Sequence, residues 1–542
     1  MCEILRGSFD EKYPEVEGVL QKAAFIAIDN EFTGLVSNSE RKLSLFDAGS
    51  ERYSLAKANI EEFIAIQVGI TAFNYSREEN KYIAHTFTIP VFPRSISSLD
   101  HKFLCQASSL EYLCQYKFDF NKVVYEGVPY LNADQERKVR KELKAGALFR
   151  NLERTLSMDD ERKLQAACSR VAEWFPSAVQ GDRLKVPVPM GLQGGMLMEY
   201  VLHKELRKRF PVIWTYTDIG CVQVEVVSRE HRQELEMDVA AEESLQENLI
   251  NHFLGFSRIY KLLINLKKPI IGHNMLLDLM MMYNQFYEPL PSHYSTFKKN
   301  INQLFPVIYD TKFISSELKR KLKKDLLNST VLSDLYAYFK DGRGSHMAMC
   351  SPVIQHSEEH NPSNLEMKFH EAGWDSYCTG FCFIKMSHIF AEQKFGDACE
   401  PRPFTSTEHL FAVQPMKNNV NVIRADVSHI CLDGPDPKSE RPQWLHVHSR
   451  NSKSIDISQV AELFAKFGTV DVKSFSKQKA LVAVGNHRCA RDILQNFRKH
   501  DDFRVTKYSP FKHSPVVRAL IFGGAVLSGG TCVWIIYDTF FR

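Results

Sequence analysis

The sequence predicts an α/β protein: a main body interrupted by a small inserted α+β domain, then a βαββαβ domain, then one transmembrane helix at the C-terminus. Three observations carry this. An apolar run at residues 23–32 enters two acids, as a strand buried on both faces of a sheet does, and a shorter one ends at Gly272. Residues 441–508 alternate strand and helix patterns. Residues 519–537 carry no charge. At about 150 residues per domain, 542 residues allow three or four such units.

The elements follow in order. AAFIAIDNEF (23–32) is a central strand, and QVGITAFNY (67–75) with YIAHTFTIPVF (82–92) adds a meander around the polar turn 76–81. Residues 134–176 show helical spacing, with SMDDER (157–162) as a helix start. From 163 to 245 a mixed segment holding HKELRKRF, VIWTY and CVQVEVV reads as an insertion, splitting the body into 1–162 and 246–400. KKPIIGHNMLLDLMMMYNQF (267–286) specifies a strand ending at Gly272 and a helix opening after Asn274 as its N-cap. The helix of HEAGWDSYCTGFCFIKMSHIF ends near Phe390. In 441–508, WLHVHS, ISQVAELFAKFG, VDVKSFSKQKALVAV, HRCARDILQNF and FRVTKY follow the ferredoxin-like plan of an RNA-recognition motif. The strand that ought to carry stacking aromatics reads Lys477, Gln478, Lys479, Ala480, Leu481, Val482, so a packing role competes with an RNA platform.

A helix over 519–537 spans about 28 Å, against a hydrocarbon core of about 30 Å. Its four glycines suit a membrane helix better than a soluble one, and Trp534 and Tyr537 sit where an interfacial belt lies. Lys507, Lys512 and Arg518 precede the span and Arg542 follows it, so the positive-inside rule leaves the body in the cytosol. The expectation is a single-pass tail anchor in the endoplasmic reticulum, ahead of the mitochondrial outer membrane. Gly524 with Ser528 and Ala525 with Gly529 are small-residue pairs through which a homodimer could pack.

Charged residues at 25% and apolar ones at 44% exclude a disordered chain. Sixty-eight Lys and Arg against 65 Asp and Glu leave +3, so no global field implies nucleic acid. Twelve cysteines without a C-x-x-C pair point to free thiols in a reducing compartment.

The chemistry lies in four acids and a histidine. Asp29 and Glu31 are two apart on a strand, share a face and can jointly hold a hard cation. Asp278 falls in the first turn of its helix, where the dipole favours a negative charge. His370 and Asp375 are five apart, a spacing that shares no helical face; with His370 in the loop and Asp375 in the helix, the two can converge. A zinc site from His370, Cys378 and Cys382 lacks a fourth ligand.

Together these make the constellation of the DEDD exonucleases with histidine. FIAIDNEFTGL, FLCQASSLEYL, FDFNKVVYEGVPYLN, IIGHNMLLDLM, FPVIYDTKFISSEL and HEAGWDSYCTG resemble the poly(A)-specific ribonuclease family over residues 1 to about 400, and LFAKFGTV does so more loosely. The tail resembles that family's membrane-anchored branch, which trims the 3′ ends of piRNA precursors. The resemblance implies an RNase H-like core and a Mg²⁺-dependent 3′-to-5′ exoribonuclease that acts on single-stranded RNA and releases 5′-monophosphates. Poly(A) deadenylation, a DNA exonuclease and an inactive RNA-binding scaffold are the alternatives. It further implies that Asp29, Glu31, Asp278 and Asp375 hold two Mg²⁺ ions and that His370 takes the proton of the attacking water. Phe32 and Leu35 are implied to pack on the terminal base and sugar, and Lys312 to meet a phosphate. The basic run KRKLKK (319–324) could track the RNA backbone. A membrane-bound adaptor that presents the RNA is the implied partner. The family carries at the insertion a domain named for an Arg-x-x-x-His motif; that spacing is missing from 163–245, so the insertion reads as a degenerate nucleic-acid-binding domain. Ser474, beside Phe475, stands where the soluble deadenylase has a stacking tryptophan, so cap binding is not expected.

Overall fold

The computed structural model describes residues 1–36, 43–96, 99–146, 156–189, 195–218, 220–237, 239–322, 326–358, 369–396, 401–451, 454–514, 516–517 and 519–520, with 239–242 as backbone only. They form two compact units: residues 1–39, 54–421 and 431–435 in the first, and 40–53, 422–430 and those from 436 on in the second.

The first unit is built on a mixed sheet. Strands β1 (Phe25–Phe32), β2 (Ala65–Ser76), β3 (Lys81–Pro90), β4 (Ile270–Gly272) and β5 (Ile308–Asp310) lie in the order β3-β2-β1-β4-β5. The meander β1-β2-β3 is antiparallel, while β4 and β5 join β1 in parallel. Two short strands, Cys2–Glu3 and Val353–His356, pair with β3 in parallel. Phe25 to Ile28 are buried, which is why β1 reads as an unbroken apolar run. Three helices matter for the site: α1 (Ala107–Gln115), α2 (Leu276–Phe286) and α3 (Ala372–Phe395). Helix α3 lies across the sheet, where Phe25 stacks on Phe73 at 4.8 Å and meets Phe383 edge-on at 5.1 Å.

The structure differs from the sequence reading at three places. The insertion is wider than 163–245: residue 163 falls inside the helix Met158–Trp174, and Val139, Leu143, Leu249 and Phe253 share one core with Leu164, Val201 and Val222. Helix α3 continues past Phe390 to Phe395 because Ala391, Glu392, Gln393 and Lys394 favour helix, and Gly396 caps it. Asn274 is not the N-cap of α2. It sits at φ 60°, Met275 is the cap, and the remote Asp310 carboxylate accepts the N–H groups of both. The expected membrane span lies outside the described residues from 521 on; among the described residues no helix is long and apolar enough to cross a membrane. The last two residues of the basic run 319–324 also lie outside them.

The second unit holds β6 (Leu445–Ser449), α4 (Ile457–Ala465), β7 (Val470–Ser476), β8 (Lys479–Val484), α5 (His487–Asn496) and β9 (Phe503–Lys507), in the expected sequence order. Its antiparallel sheet runs β7-β8-β6-β9. Strand β8 carries no aromatic residue and buries Ala480, Leu481 and Val482, while the Phe475 ring packs 5.9 Å from those of His446 and Tyr508.

Candidate active site

Asp29 and Glu31 leave β1 opposite Gly69 and Gln67 of β2. A strand glycine marks a close backbone approach, and a Cβ at Gly69 would fall 1.8 Å from the carbonyl oxygen of Ala372. A Cβ at Gly373 would likewise fall 2.1 Å from Thr88 Oγ1, and Gln67 Oε1 accepts the Ala372 N–H at 2.9 Å. The first turn of α3 is thereby seated on the sheet, which brings Asp375 to the acids of β1. Glu31, Asp375 and His370 each present a ligand atom within 4.8 Å of the others.

Asp278 arrives from α2. Asn30, between the two acids of β1, donates from Nδ2 to Asp278 Oδ1 at 2.8 Å. The loop before α2 is shaped by Asp310, fully buried at the end of β5, whose carboxylate accepts the N–H groups of Asn274, Met275, Lys312 and Asn421 at 2.9–3.2 Å. A short strand, a left-handed Asn274 and a distant anion together aim Asp278.

His370 precedes α3 at φ 66°, and its N–H donates to Asp375 Oδ2 at 2.9 Å. The expected arrangement, histidine in the loop and aspartate in the helix, is the one found. Four acids in one place repel. Burial first, then Asp375, Asp278 and Glu31, push the Asp29 carboxyl well above the usual range, and burial with Asp375 and Asp278 does the same to Glu31. Burial raises Asp278 to about 6 and Asp375 to about 7, although N–H donors partly oppose it. Burial lowers His370.

Residues 4–383 match the CAF1 family of ribonucleases. The chain belongs to that family. It is 35% identical over 539 residues to the pre-piRNA 3′-exonuclease trimmer of Bombyx mori, covering 99% of both chains. It is 31% identical to the poly(A)-specific ribonuclease PNLDC1 of Mus musculus, over 95% of each chain, and 30% identical to the poly(A)-specific ribonuclease PARN of Homo sapiens, over 94% of this chain and 80% of that one. Among solved structures, the Mg²⁺- and Mn²⁺-bound form of S. pombe Pop2p is similar at 14% identity and a TM-score of 0.34, over 74% of this chain and 95% of that one. The CAF1-family ribonuclease described here is a 3′-to-5′ exoribonuclease with an α/β core, in which Glu31, Asp375 and His370 are close enough together to hold a metal ion.

Phe32 and Leu35 line a small apolar recess with Phe63, Leu277 and Met281, next in sequence to Asp278. Lys312 is half-buried, and its ammonium donates to the Thr330 carbonyl at 2.8 Å. Sequence reasoning missed Gly69, Asn30, Asp310 and Tyr112, whose hydroxyl lies 2.8 Å from His370 Nε2. Two carried a signal: a glycine inside an apolar strand, and an acid ending the apolar run VIYD.

Proposed function

We propose that this ribonuclease trims the 3′ ends of single-stranded piRNA precursors and releases 5′-monophosphates, using two Mg²⁺ ions held by Asp29, Glu31, Asp278 and Asp375. The observation that carries the reading is the convergence of four acids, of which Asp29 and Glu31 have their pKa raised by burial and then by the charges of Asp375 and Asp278. Carboxylate oxygens suit a hard divalent cation, and Asp375 Oδ1 is buried without a protein partner. Bound there, the ions supply the charge that activates water and steadies the leaving 3′ oxygen. His370 takes the proton of that water; held below its ordinary pKa, it is neutral at pH 7 and free to accept. Phe32 and Leu35 receive the terminal base and sugar, and Lys312 faces a phosphate once it leaves the Thr330 carbonyl.

Likeness to the Bombyx mori trimmer along the whole chain supports the piRNA-precursor substrate. Likeness to poly(A)-specific ribonucleases favours deadenylation as the second reading. In the same proposal residues 519–537 tether a cytosolic body to the endoplasmic reticulum, ahead of the mitochondrial outer membrane. A membrane-bound adaptor presents the RNA, and two copies pair through the small residues of the span. The element order of 445–507 supports an RRM-like domain there.

Full-length protein with Mg²⁺ should shorten 3′-OH RNA stepwise while sparing 3′-phosphate RNA and DNA of equal sequence. Cleavage inside 3′-blocked RNA would sink the exonuclease reading, and strict dependence on adenosine tails would select deadenylation. Carbonate-washed membranes should retain the full chain, and recovery in the soluble fraction would remove the anchor.

A further inference from the structure

Tyr112 and Tyr116 stand four residues apart at the end of α1, on one face of the helix. Both are exposed, 44% and 40%, whereas Leu113 between them is buried against Ile64, Ile66 and Val123 and fixes the helix. The two tyrosine rings meet edge to face at 5.3 Å and both pack on the His370 imidazole, with centroids 4.7 Å and 4.1 Å from it. The other end of α1 is tied to the loop after β1: the Gln106 N–H donates to the Thr33 carbonyl at 2.8 Å, and Gln106 Oε1 accepts from the N–H groups of Leu35 and Val36. Helix α1 therefore joins the apolar recess to the imidazole.

The imidazole needs such support. His370 precedes α3 in a left-handed conformation, with its backbone N–H bonded to Asp375. A neutral imidazole is basic at one nitrogen, and the partner of the other nitrogen decides which one. We propose that Tyr112 is a positioning residue: its hydroxyl, bonded to Nε2, sets the orientation and proton-bearing nitrogen of His370, while the neighbouring Tyr116 ring packs against the same imidazole. This rests on the reading of His370 as the general base.

The test is steady-state trimming by the full-length protein at saturating Mg²⁺, in wild-type and His370→Ala backgrounds. Tyr112→Phe keeps the ring and removes only the hydroxyl. It should lower kcat by about 10- to 100-fold, the scale for a lost partner of an active-site ligand, and leave KM within about two-fold. In the His370→Ala background the same change should alter kcat by less than about two-fold, because the residue it positions is gone. A raised KM with kcat intact would make Tyr112 a base-stacking contact and overturn the proposal. Equal losses in both backgrounds would overturn it too, since Tyr112 would then act without His370. If His370→Ala alone kept near wild-type rates, the general-base reading would fail first, and this proposal with it.

Discussion

Asp29 on β1 and Asp471 on β7 are both strand aspartates, and they are treated in opposite ways. Asp471 is answered: Arg424 reaches its Oδ1 at 2.6 Å and the Leu45 N–H its Oδ2 at 2.7 Å. Asp29 is surrounded by Asp375, Asp278 and Glu31, which raise its pKa along with burial. A fold left to optimise stability alone pairs its acids as the second unit does. Keeping four together is costly without a cation, so the contrast separates a structural carboxylate from a functional one without reference to motif.

The largest effect expected is for Asp375→Asn. Trimming should fall by about 10³-fold or more, the scale for removing a key electrostatic stabiliser. The metal-free protein should nevertheless melt higher than wild type, because one repelling carboxyl is gone. A lower melting point in EDTA would show that Asp375 is a structural acid like Asp471.

His370→Ala should slow single-turnover trimming by about 10²- to 10⁴-fold, the usual contribution of a general base. The Mn²⁺-induced rise in melting temperature should persist, because the four carboxylates remain. Gly69→Ala should destabilise the first unit by about 3 kcal/mol, the upper range for overpacking. Its Cβ would collide with Ala372 and lift α3 off the sheet. Denaturant unfolding measures the loss, and an unchanged midpoint would refute the close approach of α3.

Protons and cations compete for the same oxygens. Asp278 and Asp375 titrate near 6 and 7, above the unfolded value of about 4. Their contribution to metal-free stability is therefore complete below about pH 4 and fades as pH rises through 6 and 7. Mg²⁺ should stabilise the protein little at pH 5 and increasingly up to pH 8, in melting curves with and without EDTA. A pH-independent Mg²⁺ effect would place the ion elsewhere. The smallest effect is for Asp471→Asn, where a partly exposed pair is lost for at most about 1 kcal/mol and trimming is unaffected.

Much of this was legible in the sequence because its causes are local. The apolar run before Asp29, the meander and the βαββαβ order announce themselves through periodicity, and the five expected site residues converge. What could not be read depends on contacts distant in sequence. Asp310 shapes the loop at Asn274 from 36 residues away, so a side-chain cap was expected where a remote carboxylate does the work. Tyr112 meets His370 across 258 residues. The strand Val353–His356 is short, with alternating exposure and no apolar run to mark it. The insertion's edges were misplaced because the helix Ala133–Lys144 is largely polar and the helix Val239–Leu254 mixes polar and apolar residues evenly, and only their packing shows which core they join.

The claim on which everything else rests is that the four acids form a divalent-cation site. Calorimetric titration of the full-length protein with Mn²⁺ at pH 7.5 tests it most directly, comparing wild type with Asp29→Asn and Asp375→Asn. Two ions bound by wild type, with at least one lost in each variant, is the result this account predicts. Undiminished binding by both variants would contradict it.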